Sequence, residues 1–203
     1  MNDSAAIPSP DGDRRAVVMS GPVASGLLTP RLRLTPVESS ELEELFTLHA
    51  DPRAFVEDST APLDDRAQMR WVLARWVQDW EQHGRGYFSV RARDVAGPSP
   101  SLPSGLLGVV GLSLLESDGP PLLSAYWRLD PAAMGRGVAF EAMGAVLADP
   151  RCGSHGREVV AVTAARNRPS RSLAARLGFL PAPPQRAVPG GRADDVLLVR
   201  PAS

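Results

Sequence analysis

The alternation of apolar and polar residues divides the chain into short strands and amphipathic helices. From Leu27, the run LLTPRLRLTPV sets Leu32 and Leu34 against Arg31 and Arg33, the period of a strand with one wet face. Ser40 and Glu43 have capping-box spacing ahead of Leu42, Leu45 and Phe46, and Asp51-Pro52 ends that predicted helix. A second helix is expected from Asp64 and Asp65, with Met69, Val72, Leu73, Trp76, Val77 and Trp80 on one face and Gly84 as its stop. Residues 87–92 alternate as a strand, and residues 97–105 are too rich in Pro and Gly for regular structure. Residues 106–115 and 122–129 read as strands joined by a Gly-Pro turn, which suggests an antiparallel pair. Helical character resumes after Gly137 and stops at Asp149-Pro150. A β-branched strand follows over 158–164, then a helix from about Pro169 to Gly178, then a closing strand over 196–200. This order predicts an α+β fold with one crossover between parallel strands.

Residues 1–26 mix Pro, Gly, Ser and charge without sustained period and are expected to form a mobile tail, leaving residues 27–203 as one domain. The 43% hydrophobic content of the 203 residues supports a core without disulfide or metal staples. Twenty-two basic and 23 acidic residues give a net charge of -1, which predicts no general attraction to nucleic acid or anionic lipid. No apolar run is long enough to span a bilayer, no export signal is read, and Cys152 is the only cysteine, so a cytoplasmic protein is expected. Every basic residue is arginine; without lysine there is no Schiff-base nucleophile and no P-loop phosphate ligand. His49, His83 and His155 are too dispersed for a metal site, and surface or helix-end roles are expected of them. Trp76 and Trp80 are expected in the core, while Trp71 is a candidate for lining an acceptor cleft.

The stretch LDPAAMGRGVAFEAMGAVLADP, residues 129–150, carries the chemistry. It runs from strand through a glycine-rich turn into a helix. Gly135 and Gly137 let backbone approach a ligand, and the helix start offers free N–H groups and a positive dipole end suited to a pyrophosphate. Arg136 can add a charge-assisted contact. A tight strand-to-helix turn with no ligand is the plain alternative. The dinucleotide fingerprint fails, because Phe140 stands where its third small residue is needed.

Met134-Gly135-Arg136-Gly137-Val138-Ala139 resembles motif A, R/Q-x-x-G-x-G/A, of the GCN5-related N-acetyltransferases (GNAT). Glu141 and Ala142 extend it toward the ribosomal-protein N-acetyltransferase-like (RimJ/RimL-type) branch. Asn167, Ser170, Leu177, Gly178 and Phe179 match that branch's second signature, N-x-x-S followed by a helix ending L-G-F. Met134 and Phe140 depart from the usual residues. The resemblance spans residues 27 to about 200. It implies a GNAT fold: a mixed central sheet splayed between two parallel strands, flanked by about four helices. Acetyl-coenzyme A is the implied acyl donor and a primary amine, on a protein N-terminus or a small molecule, the acceptor; a homodimer is compatible with the family. Residues 134–139 would hold the pyrophosphate, and the backbone of Trp127, Arg128 and Leu129 would contact the pantetheine arm. The Leu129 N–H would polarise the thioester carbonyl.

The implied reaction is direct attack of the amine on the thioester. Ser170 is the candidate to protonate or hydrogen-bond the leaving thiolate, or is a helix-start serine satisfying backbone donors. Asn167 contacts the pantetheine arm or caps the last helix; Arg171 reaches a phosphate or is solvated. Glu57 and Asp58 are candidate bases, with Asp130 and Glu116 as rivals, and a water chain can replace a base. A non-catalytic acyl-coenzyme A sensor or scaffold is the alternative function.

Overall fold

A computed structural model describes residues 26–93, 102–115, 122–152, 154, 156–189 and 192–202. The expected tail over residues 1–25, the candidate Glu116 and His155 lie outside these residues. The strands are β1 (Leu27–Leu28), β2 (Leu32–Pro36), β3 (Tyr87–Ala92), β4 (Leu106–Leu115), β5 (Leu122–Leu129), β6 (Val159–Ala164), β7 (Leu180–Pro181) and β8 (Asp195–Arg200). The helices are α1 (Leu42–Ala50), α2 (Arg66–His83), α3 (Val138–Ala148) and α4 (Arg168–Arg176). One sheet runs β1-β2-β3-β4-β5-β6-β8-β7, antiparallel except for the parallel β5–β6 pair.

Helices cover both faces. Leu45, Leu48, Met69 and Leu73 from α1 and α2 pack with Val37 and Val109 on one side. On the other, Val138, Ala142, Met143 and Val146 of α3 and Ala174 of α4 join Leu32, Leu34, Val90, Val110 and Leu112. Each buried Leu, Val or Met side chain among these contributes about 2 kcal/mol relative to exposure. The period-2 pattern of β2 and the helical spacing along α2 therefore select opposite faces of the same sheet.

Three local expectations change. The run from Leu27 is a hairpin, β1 with β2, turning at residues 29–31. The capping box forms two residues earlier, between Glu38 and Glu41, and opens a short 3-10 turn that runs into α1. His49 is in the last turn of α1, but it is buried, 5% exposed, rather than at the surface. The second helix is as expected: Asp65 caps the Ala67 N–H, and Gly84, at φ 62°, returns its N–H to the Trp80 carbonyl.

Candidate functional site

The parallel strands β5 and β6 are paired at Leu123↔Val159 and Ser124↔Val160, and part beyond those residues. On its other side β5 stays in register with β4 from Leu122 to Leu129. The Asp130 N–H donates to the Leu107 carbonyl at 2.9 Å. Ladder groups alternate sides along a strand, so the main-chain groups of Trp127 and Leu129 face away from β4 and into the opening beside β6. Gly108, opposite Leu129, permits this strand approach: a Cβ there would lie 2.4 Å from the Arg128 carbonyl oxygen.

At the end of β5 the Asp130 side chain accepts the Ala132 N–H and starts a 3-10 turn over Pro131–Ala133. Met134, Gly135, Arg136 and Gly137 are exposed. Gly135 and Gly137 have φ of 71° and 77°, the left-handed region that disfavours side chains, and Gly137 is the N-cap of α3 with no side-chain cap. The first helical hydrogen bond runs from Glu141 N–H to the Gly137 carbonyl at 3.0 Å. The N–H groups of Val138, Ala139 and Phe140 precede it and have no carbonyl one turn back to accept them. This geometry suits an anion of two linked phosphates. Arg136 is exposed, and its Nε donates to the Ala132 carbonyl at 3.0 Å.

The start of α4 closes the opening from the other side. Asn167 is its N-cap, and the Asn167 side-chain oxygen accepts the Ser170 N–H at 3.0 Å. The Trp127 indole N–H donates to the Ser170 hydroxyl oxygen at 3.0 Å, reaching from β5 across to α4. An indole nitrogen only donates, so Ser170 is the acceptor here and its own hydroxyl hydrogen is left to donate elsewhere. Arg171 is exposed, with one guanidinium nitrogen on the Ala165 carbonyl at 2.9 Å.

On the α1/α2 face lies a polar assembly that sequence reading missed. Arg128 is 10% exposed, and its guanidinium donates to Asp58 at 2.6 Å, the Ala54 carbonyl at 2.7 Å and the Tyr126 hydroxyl at 3.0 Å. It also lies over the Phe55 ring at 3.7 Å. The second Asp58 oxygen accepts from the Asn167 side-chain nitrogen at 3.2 Å, and its main-chain carbonyl accepts from Arg166. Both ends of the Asn167 amide are thus engaged within the protein. Tyr126 continues the chain to His49 Nε2 at 3.1 Å, while His49 Nδ1 meets the Leu45 carbonyl at 2.8 Å. Since a carbonyl only accepts, Nδ1 carries the hydrogen and Nε2 accepts from Tyr126. Burial, reinforced by the Arg128 charge, lowers the His49 pKa to about 4, so the ring is neutral. Burial pushes the Tyr126 phenol up. The alternation of β5 was the available signal: with Trp127 and Leu129 on the α3 side, Arg128 had to point into the α1/α2 layer and needed a buried anion.

The candidate bases therefore separate. Asp58 is held by Arg128 and Asn167, Asp130 caps a turn, and Glu57 is exposed and makes no hydrogen bond among the described residues. Burial pushes the Cys152 thiol up to about 11, an unreactive state. Trp71 is 65% exposed on α2. Among the described residues there is no cluster of metal-ligating side chains, and no helix is long and apolar enough to cross a membrane.

Comparison with known proteins follows the same lines. Residues 31–180 match the family model described as "Acetyltransferase (GNAT) domain". Comparison with curated protein sequences gave no match. Among solved structures, a putative GNAT-family acetyltransferase from Bordetella pertussis superposes with a TM-score of 0.69 and 27% identity, over 87% of this chain and 99% of its own. A ribosomal-protein-S5-alanine acetyltransferase from Vibrio fischeri gives 0.64 at 16% identity, over 87% and 96%. A RimL ribosomal L7/L12 alpha-N-protein acetyltransferase in complex with coenzyme A gives 0.65 at 16% identity, over 87% and 97%.

Proposed function

The chain belongs to the GNAT acetyltransferase family, and from that premise we propose that it moves the acetyl group of acetyl-coenzyme A onto a primary amine by direct attack. The observation that carries this reading is the parting of β5 from β6, with the Trp127 and Leu129 main-chain groups turned into the gap. A pantetheine arm has amides of its own and can occupy the place of the missing strand. The pyrophosphate then falls at the turn of residues 134–139, where exposed N–H groups and the α3 dipole receive it.

In this reading the amine nitrogen bonds to the thioester carbonyl carbon, and the Leu129 N–H stabilises the oxyanion that develops. Collapse breaks the C–S bond, and the departing thiolate accepts a hydrogen bond from Ser170, or its proton as water returns one to the serine oxygen; Trp127 fills the acceptor side of that hydroxyl and leaves its hydrogen to donate. The proton lost by the amine passes to water, or to Glu57 on the loop that Asp58 ties to β5. Asn167 serves by orienting Ser170 through the helix cap. The acceptors to try first are protein N-termini, because two fold neighbours act on ribosomal proteins.

The test is release of free coenzyme A thiol from acetyl-coenzyme A across N-terminal peptides and small amines. Ser170→Ala should lower kcat about tenfold while changing coenzyme A affinity less than about twofold, the loss of one charge-assisted contact made in the transition state. Coenzyme A binding without thiol release on any amine would replace the transferase with an acyl-coenzyme A sensor.

A further inference from the structure

A second group of residues touches the phosphate turn from the side opposite its N–H groups. Glu141, in the first turn of α3, accepts three hydrogen bonds from the β1–β2 hairpin: Thr29 hydroxyl at 2.5 Å, Arg31 N–H at 3.0 Å and Arg31 Nε at 2.7 Å. Arg31 Nη1 donates to the carbonyl of Arg136, the residue between the two left-handed glycines, at 3.1 Å. Its Nη2 lies 3.4 Å from where a Gly137 Cβ would be. Glu141 and Arg31 side chains are 16% and 27% exposed.

In a trans peptide unit the carbonyl and the following N–H point in opposite directions. An arginine that holds the Arg136 carbonyl therefore fixes the Gly137 N–H pointing away from itself, outward. A turn with two left-handed glycines has many other conformations, and glycine loses the most backbone freedom when it is held. The same guanidinium offsets the Glu141 charge, which would otherwise stand one turn from the incoming phosphates. Burial pushes the Glu141 carboxyl up, but the bonds from Thr29 and Arg31 outweigh it and hold it below the usual carboxylate range, so it stays ionised.

We infer that Arg31, anchored by Glu141, is a positioning residue for the coenzyme pyrophosphate: it holds the Arg136 carbonyl so that the main-chain donors of the turn stay aimed at the ligand. This rests on the coenzyme reading above. Arg31 acts through the turn and is not placed in contact with the phosphates.

Two measurements on the full chain test it. The first is amide hydrogen exchange without ligand. Arg31→Ala should speed exchange about tenfold over residues 141–144, the first hydrogen-bonded amides of α3, equivalent to about 1.4 kcal/mol, and leave β5 unchanged. The second is coenzyme A binding by calorimetry, where Arg31→Ala should raise Kd about tenfold. Glu141→Gln keeps acceptors for Thr29 and the Arg31 main chain but loses the ion pair, and should raise Kd about threefold. Arg31→Lys reaches one of the two partners and should fall between Arg31→Ala and wild type; it carries the test should Arg31→Ala fail to fold. Unchanged exchange at 141–144, or a Kd within twofold of wild type, overturns the inference. So does acceleration spread evenly over β5 and α3. A wild-type protein that does not bind coenzyme A sinks the functional reading instead, and the exchange experiment still reports on the turn.

Discussion

The two flanks of β5 are built on different principles. On the coenzyme flank the proposed contacts are main-chain groups: Trp127 and Leu129 in the opening, and the turn from Met134 to Ala139, where two glycines sit at positive φ. On the opposite flank a loop is fixed by side chains: Arg128 joins Asp58, Ala54 and Tyr126, Asp58 joins Asn167, and Tyr126 joins His49. Backbone donors tolerate change of side chain, so long as the dihedrals survive. A buried charged assembly tolerates almost none, because each member is another's solvent. The first flank can keep one ligand across many sequences. The second fixes one loop, residues 54–58, in one place.

Substitutions that separate the flanks test this contrast. Asp58→Ala should have the largest effect: it strips the buried Arg128 of its anion and should cost about 3 kcal/mol, read as a lowered thermal midpoint. Coenzyme A affinity should stay within about twofold, and an equal fall in affinity would show that the flanks are one unit. Gly137→Val should do the converse. A β-branched side chain at φ 77° is strained, yet its Cβ would meet only Arg31 Nη2 at 3.4 Å, so the core is untouched. Coenzyme A affinity should fall about thirtyfold, or ~2 kcal/mol, with a smaller change in stability. Intact affinity would remove the turn from the site.

The smallest effect comes from His49. Its folded pKa, about 4, is depressed below the ordinary 6.5. Its contribution is therefore complete above pH 6.5 and declines as pH falls from there toward 4, because the unfolded chain takes up the proton first. Between pH 7 and 5.5 unfolding free energy should drop by about 1 kcal/mol from this group. His49→Gln should flatten that window, and a profile identical to wild type would place the loss elsewhere.

The same contrast decides what could be read from the sequence. Gly135, Gly137 and the Asn167–Ser170 spacing are local signals, each set by the dihedrals or caps of a few neighbouring residues, and they lie where expected in the fold. One crossover between parallel strands was legible in the order of elements, and the family resemblance placed it at β5 and β6. The Arg128–Asp58 pair was not: it spans 70 residues of sequence, and any of the other arginines and acids could have been chosen. Asp58 stands among the candidate bases in the sequence because its partner cannot be seen there. The Thr29–Arg31–Glu141 contact, more than 100 residues apart, is of the same kind. At α1 two overlapping capping boxes competed, Glu38 with Glu41 and Ser40 with Glu43. The earlier one forms because Val37 is already tied to Tyr87 by a main-chain hydrogen bond of 3.1 Å.

The brevity of the β5–β6 contact has a further mechanical meaning. Two paired residues on each strand join a five-stranded wing to a three-stranded one, and beyond them the wings are linked by side chains, Trp127 to Ser170 and Arg128 through Asp58 to Asn167. The main-chain groups of Trp127 and Leu129 are thus open to a guest strand while the two wings stay clasped at both ends of the gap.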